Sequence, residues 1–152
     1  MRSETETIEI AAPPTVVFDY LTDQATLSDW LPGLIRSEVV GGGPVQTGSK
    51  LAQIREQGGR RMEGEATVIT HDRPSMHAVQ VNIMGITTSF AFQLTASKFG
   101  TNVVLRSTYS GSGIKVLFEG LIAAMCRECN KKTVAALKAA VEQKQACKNS
   151  VA

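Results

Sequence analysis

The groups in this chain that could do chemistry are few. Cys126-Arg-Glu-Cys129 has the C-x-x-C spacing of a redox or zinc pair. The redox form places its thiolate at a helix N-terminus, whereas this pair falls in the middle of an expected helix. No second cysteine pair or histidine cluster stands nearby to complete a zinc site. With Cys147 making the number odd, the three read as structural thiols. His71 and His77 fit neither H-E-x-x-H nor a metal triad, so no metal and no cofactor is expected. Gly111-Ser112-Gly113 is not a nucleophile elbow, and Gly41-Gly42-Gly43 lacks the lysine and helix of a phosphate loop. Glu56, Glu63 and Glu65 read as solvent-facing, so no carboxylate pair is set for acid–base work. Three candidates remain that could orient or protonate a bound molecule: Tyr109, His77 and Arg55.

The elements that must position them belong to a chain of 152 residues with a formal charge of +2. One domain is expected over residues 1–146, with a disordered tail at 147–152. Its basic residues are dispersed apart from Arg60-Arg61 and Lys131-Lys132, a poor footprint for nucleic acid. The opening Met1-Arg-Ser-Glu-Thr-Glu-Thr lacks the apolar core of a signal peptide. No stretch reaches the roughly 18 apolar residues of a membrane span. A cytoplasmic location is the expectation. Oligomeric state is left open, a homodimer included.

Strand signals dominate the middle of the chain. Glu4 to Ala11 alternates as a strand. Ala12-Pro13-Pro14 breaks it, and Pro14 suits the first turn of a helix carrying Val16, Val17, Tyr20 and Leu21. A loop and a second short helix lead to Trp30-Leu-Pro-Gly33. Strands are then expected at 34–40, 50–56, 61–70, 77–84, 86–95 and 103–109. Gly58-Gly59 suits a primed hairpin turn between the second pair. From Ile114 to Lys144 there is no proline and one glycine, so a long helix closes the chain. Short hairpins join the antiparallel neighbours, and the first strand pairs at the far edge beside the last. The fold class is α+β: a curved six- to seven-stranded antiparallel sheet around a long C-terminal helix, with two short helices between strands one and two. A strongly twisted sheet around one helix leaves a hollow between them.

Period-two alternation assigns the walls of that hollow. Val103, Leu105, Ser107 and Tyr109 share one face of the last strand. Phe90 and Phe92, then Val79, Val81 and Ile83, then Met62, Gly64 and Ala66 continue the inward rows. Leu117, Leu121, Met125, Cys129 and Leu137 are taken from the helix. Arg55 and Gln53 face inward only if Leu51 does. An apolar cavity with a few polar groups is the usual form of a small-molecule site. The expected partner is therefore a hydrophobic small molecule.

Ile8-Glu-Ile-Ala-Ala-Pro-Pro-Thr-Val-Val-Phe-Asp-Tyr-Leu-Thr-Asp23, followed by Trp30-Leu-Pro, resembles the opening of the START/SRPBCC superfamily. That group includes the birch-pollen-allergen-like proteins and the polyketide cyclase/dehydrase family. Phe99-Gly-Thr-Asn-Val-Val-Leu105 resembles its last strand, and Leu137-Lys-Ala its helix ending. The resemblance spans nearly the whole chain and implies a helix-grip fold that binds or transforms lipids, sterols, quinones or polyketides. It carries over the cavity but no catalytic residue. Asp23 reads as a local backbone cap and Trp30 as an anchor between helix and sheet. Three functions stay open: a carrier of a hydrophobic ligand, a cyclase- or dehydratase-type enzyme, and an interaction module or membrane-associated quinone handler.

Overall fold

The computed structural model describes the backbone of residues 1–151 and side chains through Asn149. Seven strands form one antiparallel sheet: β1 (Arg2–Ile10), β2 (Leu34–Val39), β3 (Lys50–Gln57), β4 (Arg60–Asp72), β5 (Met76–Ile83), β6 (Ile86–Ser97) and β7 (Gly100–Ser110). Their order is β1-β7-β6-β5-β4-β3-β2. The first strand lies beside the last, as the sequence predicts, and the register puts Ile8 opposite Val103. The hairpin between β3 and β4 turns on Gly58 and Gly59, with φ of 59° and 79°, the left-handed region that glycine enters without strain. At Gly100 the backbone of β1 comes so close that a Cβ would collide with the Ile10 carbonyl oxygen.

Helix α1 (Pro14–Thr22) starts with Pro14 at its first position, where a missing N–H costs nothing. Its exposed carbonyls are taken by hydroxyls: Thr22 donates to the Phe18 carbonyl and Thr26 to that of Tyr20, both at 2.9 Å. A 3-10 turn at Leu27–Asp29 follows. Asp23 accepts the Ala25 N–H at 3.0 Å, a local cap. Trp30 is buried edge-on against Phe92, with ring centroids 6.0 Å apart.

Helix α2 (Glu119–Val151) is preceded by a 3-10 turn at Gly113–Phe118. Its first turn is fixed by Glu119, whose carboxylate accepts the Gly111 N–H at 2.7 Å and meets the Met1 ammonium at 3.1 Å. An acid here also complements the helix dipole. The tail expected from residue 147 is helical through Val151. No proline or glycine interrupts Lys144-Gln-Ala-Cys-Lys148, and alanine, glutamine and lysine favour helix. Ala152 lies outside the described residues.

Helix α2 packs mainly on β1 and then β7, with smaller contacts to α1. The buried apolar residues consequently fall into separate clusters. One joins α1, Trp30, the β6–β7 centre and the C-terminal half of α2 through Val134, Leu137 and Val141. A second gathers Ile86, Tyr109, Ile122 and Ala123. A third, Leu51, Ala66 and Val68, lies on the sheet away from the helix.

Candidate functional site

Strand register settles which side chains look inward. Leu51 pairs with Ala66, Gln53 with Gly64 and Arg55 with Met62. Gln53 and Arg55 therefore share the inner face with the apolar rows. Along the inner face, Ala66, Phe92, Val103, Leu105, Ser107 and Tyr109 are buried. Val79, Val81, Ile83 and Phe90 are half-buried, and Met62 and Gly64 are exposed. Within β4 burial falls along the strand, from Ala66 to Gly64 and Met62. The exposure of Met62 and Gly64 leaves the inner face open at that end of β4.

The helix presents a different face from the one the sequence suggests. The buried stripe is Ile122, Ala123, Asn130, Thr133, Val134, Leu137 and Val141. Leu121 and Met125 are 55% and 50% exposed, and Cys129 is exposed. Leu117 is 78% exposed and belongs to the 3-10 turn. The polar Asn130 and Thr133 disguise the true stripe, because their groups are satisfied inside. Asn130 Nδ2 donates to Ser107 Oγ at 2.8 Å, and Thr133 Oγ1 to the Cys129 carbonyl at 2.7 Å. Leu121, Met125 and Cys129 flank that stripe at helical spacing. They lie on the flank away from Arg127, which is tied to Glu4 of β1 at 2.7 Å.

Opposite that flank, β2 and β3 carry a one-way chain of hydrogen bonds. An Arg55 guanidinium nitrogen donates to Gln53 Oε1 at 3.1 Å. Gln53 Nε2 donates to Ser37 Oγ at 3.4 Å, Ser37 Oγ to Gln24 Oε1 at 2.5 Å, and Gln24 Nε2 to the Thr22 carbonyl at 2.9 Å. Gln53 and Ser37 are buried, at 8% and 7% exposure. Burial lowers the Arg55 pKa, and the Cys129 and Cys126 side chains act in the opposite direction. Burial also raises the Cys126 thiol, which leaves it protonated and a poor nucleophile.

The other two candidates stand elsewhere. Tyr109 is completely buried, and its hydroxyl has no hydrogen-bond partner among the described residues. Ser107, Asn130 and Cys126 surround it, yet none is placed to complete a bond. Burial pushes its pKa up to about 12. His77 lies beneath α1, its ring 6.2 Å from Phe18, with Nδ1 3.1 Å from Nδ1 of His71. Burial first, then His71, pulls its pKa down to about 4. His71 reaches this position through a bulge in β4 between Val68 and Thr70, which alternation alone does not reveal. Tyr109, His77 and Arg55 are thus not one constellation. Among the described residues, no group of three or more potential ligands could hold a metal.

Two open clefts lie toward the other end of the sheet. One, about 580 Å3, is bordered by Thr22–Ala25, Ser37–Val39, Gly42–Val45 and His71. The other, about 550 Å3, runs along the glycine-rich loop to Lys50. Both are open, and polar and apolar groups share their walls.

Residues 1–142 match the family described as polyketide cyclase/dehydrase and lipid transport. The chain belongs to that family. Solved structures agree on the fold. Protein NE0264 from Nitrosomonas europaea superposes with a TM-score of 0.77 at 13% identity, covering 95% of this chain and 96% of that one. Ara h 8.0201 gives 0.76 at 14%, covering 93% and 98%. The di-domain ARO/CYC BexL from the BE-7585A biosynthetic pathway gives 0.76 at 17%, covering 93% of this chain and 47% of that one. These likenesses establish the helix-grip fold that the family shares. No curated protein matches the sequence.

Proposed function

We propose that this family member binds a hydrophobic small molecule in the groove between α2 and the inner face of β3–β6. One observation carries the reading: the buried core is divided, and apolar side chains remain partly exposed on facing walls. Leu121 and Met125 stay exposed on one flank of α2, and on the inner face of the sheet Met62 is exposed and Val79, Val81 and Ile83 are half-buried. Exposed apolar surface arranged in facing rows marks a ligand groove or an interface. Methionine on both walls suits ligands of varied shape. Occupancy would cover these side chains. A cytoplasmic carrier is the setting; among the described residues, no helix is long and apolar enough to cross a membrane.

Gly64 supplies the test. A Cβ built there meets nothing within 4 Å, and its φ is not in the positive region. Gly64→Leu therefore adds bulk to the groove without strain, with a stability change within about 0.5 kcal/mol. Native mass spectrometry and solvent extraction should recover an apolar compound from the wild type and at least tenfold less from the variant. An empty wild-type extract, or equal recovery from both, would refute the reading.

A second reading, a cyclase- or dehydratase-type enzyme, draws on the similarity to BexL and on Arg55 and Gln53 facing the groove. Of the three sequence candidates, Arg55 alone faces that groove, so turnover would depend on Arg55 and not on Tyr109 or His77.

A further inference from the structure

The Arg55 guanidinium is a cation beside the apolar rows of the inner face, and among the described residues it lacks a counter-ion. Its protein hydrogen bond goes to a neutral amide oxygen, Gln53 Oε1. Among the described residues, no carboxylate lies within 4.0 Å of it. The acids nearest in sequence, Glu56 and Glu63, project to the outer face by strand alternation. The acids on the inner face belong to β1, at the opposite edge of the sheet, and Glu4 there is held by Arg127. A charge half-removed from water with no partner is a standing electrostatic cost.

The chain beneath Arg55 explains how it is held. Arginine has five N–H donors and no acceptor. Its bond to Gln53 Oε1 forces that amide to donate onward to Ser37, which donates to Gln24, which donates to the Thr22 carbonyl. Every link has one orientation, anchored at a backbone oxygen. The relay holds the inner edge of the guanidinium and leaves most of its donors unused. A planar fork of this kind matches a carboxylate in bidentate fashion.

We infer that the groove takes ligands with an apolar body and an anionic carboxylate head, the head pairing with Arg55 and the body lying between Met62 and the Leu121–Met125 flank. This rests on the groove being the binding site. Arg55 acts as a specificity residue: it selects acids over neutral molecules of the same shape.

Fluorescence titration at pH 7.5 with two acid–ester pairs tests this: cis-parinaric acid and its methyl ester, and 2-anthroic acid and its methyl ester. At least one acid should bind at least tenfold more tightly than its ester. Arg55→Met should remove that preference by weakening the acid to the ester's affinity, and Arg55→Lys should retain part of it. Thermal melts check that both variants fold; Arg55→Met removes a half-buried cation but leaves the buried Gln53 Oε1 without its donor, so a modest loss of Tm is expected. Equal affinities of acid and ester in the wild type would overturn the carboxylate inference while leaving the groove reading intact. An acid preference that persists in a folded Arg55→Met protein would do the same. Failure of all four probes to bind would overturn both.

Discussion

Removing the Tyr109 hydroxyl should stabilise the protein, the opposite of the usual result for a buried tyrosine. The ring is completely buried against Ile86, Ile122 and Ala123, and a phenylalanine ring in its place would retain that apolar contact. The hydroxyl, in contrast, is buried without a partner among the described residues, and a buried unpaired polar group costs about 1–3 kcal/mol. Tyr109→Phe relieves that cost and loses only the weak dispersion contacts of one oxygen, for a net gain of about 1 kcal/mol. In a chain of this size that raises Tm by about 2–4 °C. Ser107→Ala is the paired control, since it strands Asn130 Nδ2, which donates to Ser107 at 2.8 Å. Asn130 is 5% exposed, so Ser107→Ala should cost about 1–3 kcal/mol. Urea unfolding followed through Trp30, the only tryptophan and buried against Phe92, reads both. A loss of about 1 kcal/mol or more in Tyr109→Phe would refute the reasoning, because the hydroxyl would then have a partner in solution. The same variant checks the ionisation. A tyrosine raised to about 12 in the folded state, against about 10 when unfolded, holds its proton longer when folded. Stability should therefore fall as pH rises from about 10 to about 12, and Tyr109→Phe should lack that slope.

Two further outcomes follow from burial. His77, depressed to about 4 by burial and His71, binds its proton less readily folded than unfolded. Its contribution is complete above about pH 6.5 and is lost as pH falls from there toward 4, amounting to about 2 kcal/mol at pH 5. His77→Gln should flatten urea stability across that window, and an unchanged pH slope would show that His77 does not titrate as described. The two helix faces should separate cleanly. Leu137→Ala, at 0% exposure, should cost about 2–5 kcal/mol, whereas the half-exposed Leu121→Ala should stay within about 1 kcal/mol. Equal losses in thermal melts would restore the face first read from the sequence.

The contrast between those leucines shows where sequence reading held and where it slipped. Strands were legible because side-chain period two couples directly to register. Once Val103, Leu105 and Tyr109 are set inward, Phe90 and Phe92 follow by pairing, and β1 finds its place at the edge. The helix was harder. A stripe chosen by hydrophobicity alone selects Leu117, Leu121 and Met125, yet the side that packs on β1 and β7 includes Asn130 and Thr133. Their polarity is invisible as core until Ser107 and the Cys129 carbonyl are seen to satisfy them. The leucine and methionine left outside are then a sign of function rather than of folding.

The same distinction governs the candidate residues. Tyr109, His77 and Arg55 look alike in the sequence, as polar groups at inward positions of strands. Their environments separate them: one is sealed in a packed cluster, one is paired with His71 through a β-bulge, and one stands at the groove supported by a fixed chain of donors. A bulge shifts the alternation by one residue, so His71 could not be placed from spacing. The chain beneath Arg55 draws on Gln53, Ser37 and Gln24, which lie on two strands and the segment after α1, and no local motif announces it. Its direction, however, follows from chemistry alone. Arginine cannot accept, the terminal carbonyl cannot donate, and every group between them has only one orientation that satisfies both ends. Arg55 is the inward polar group that the fold holds in place while leaving most of its donors unmatched, and it is there that a ligand has something to complete.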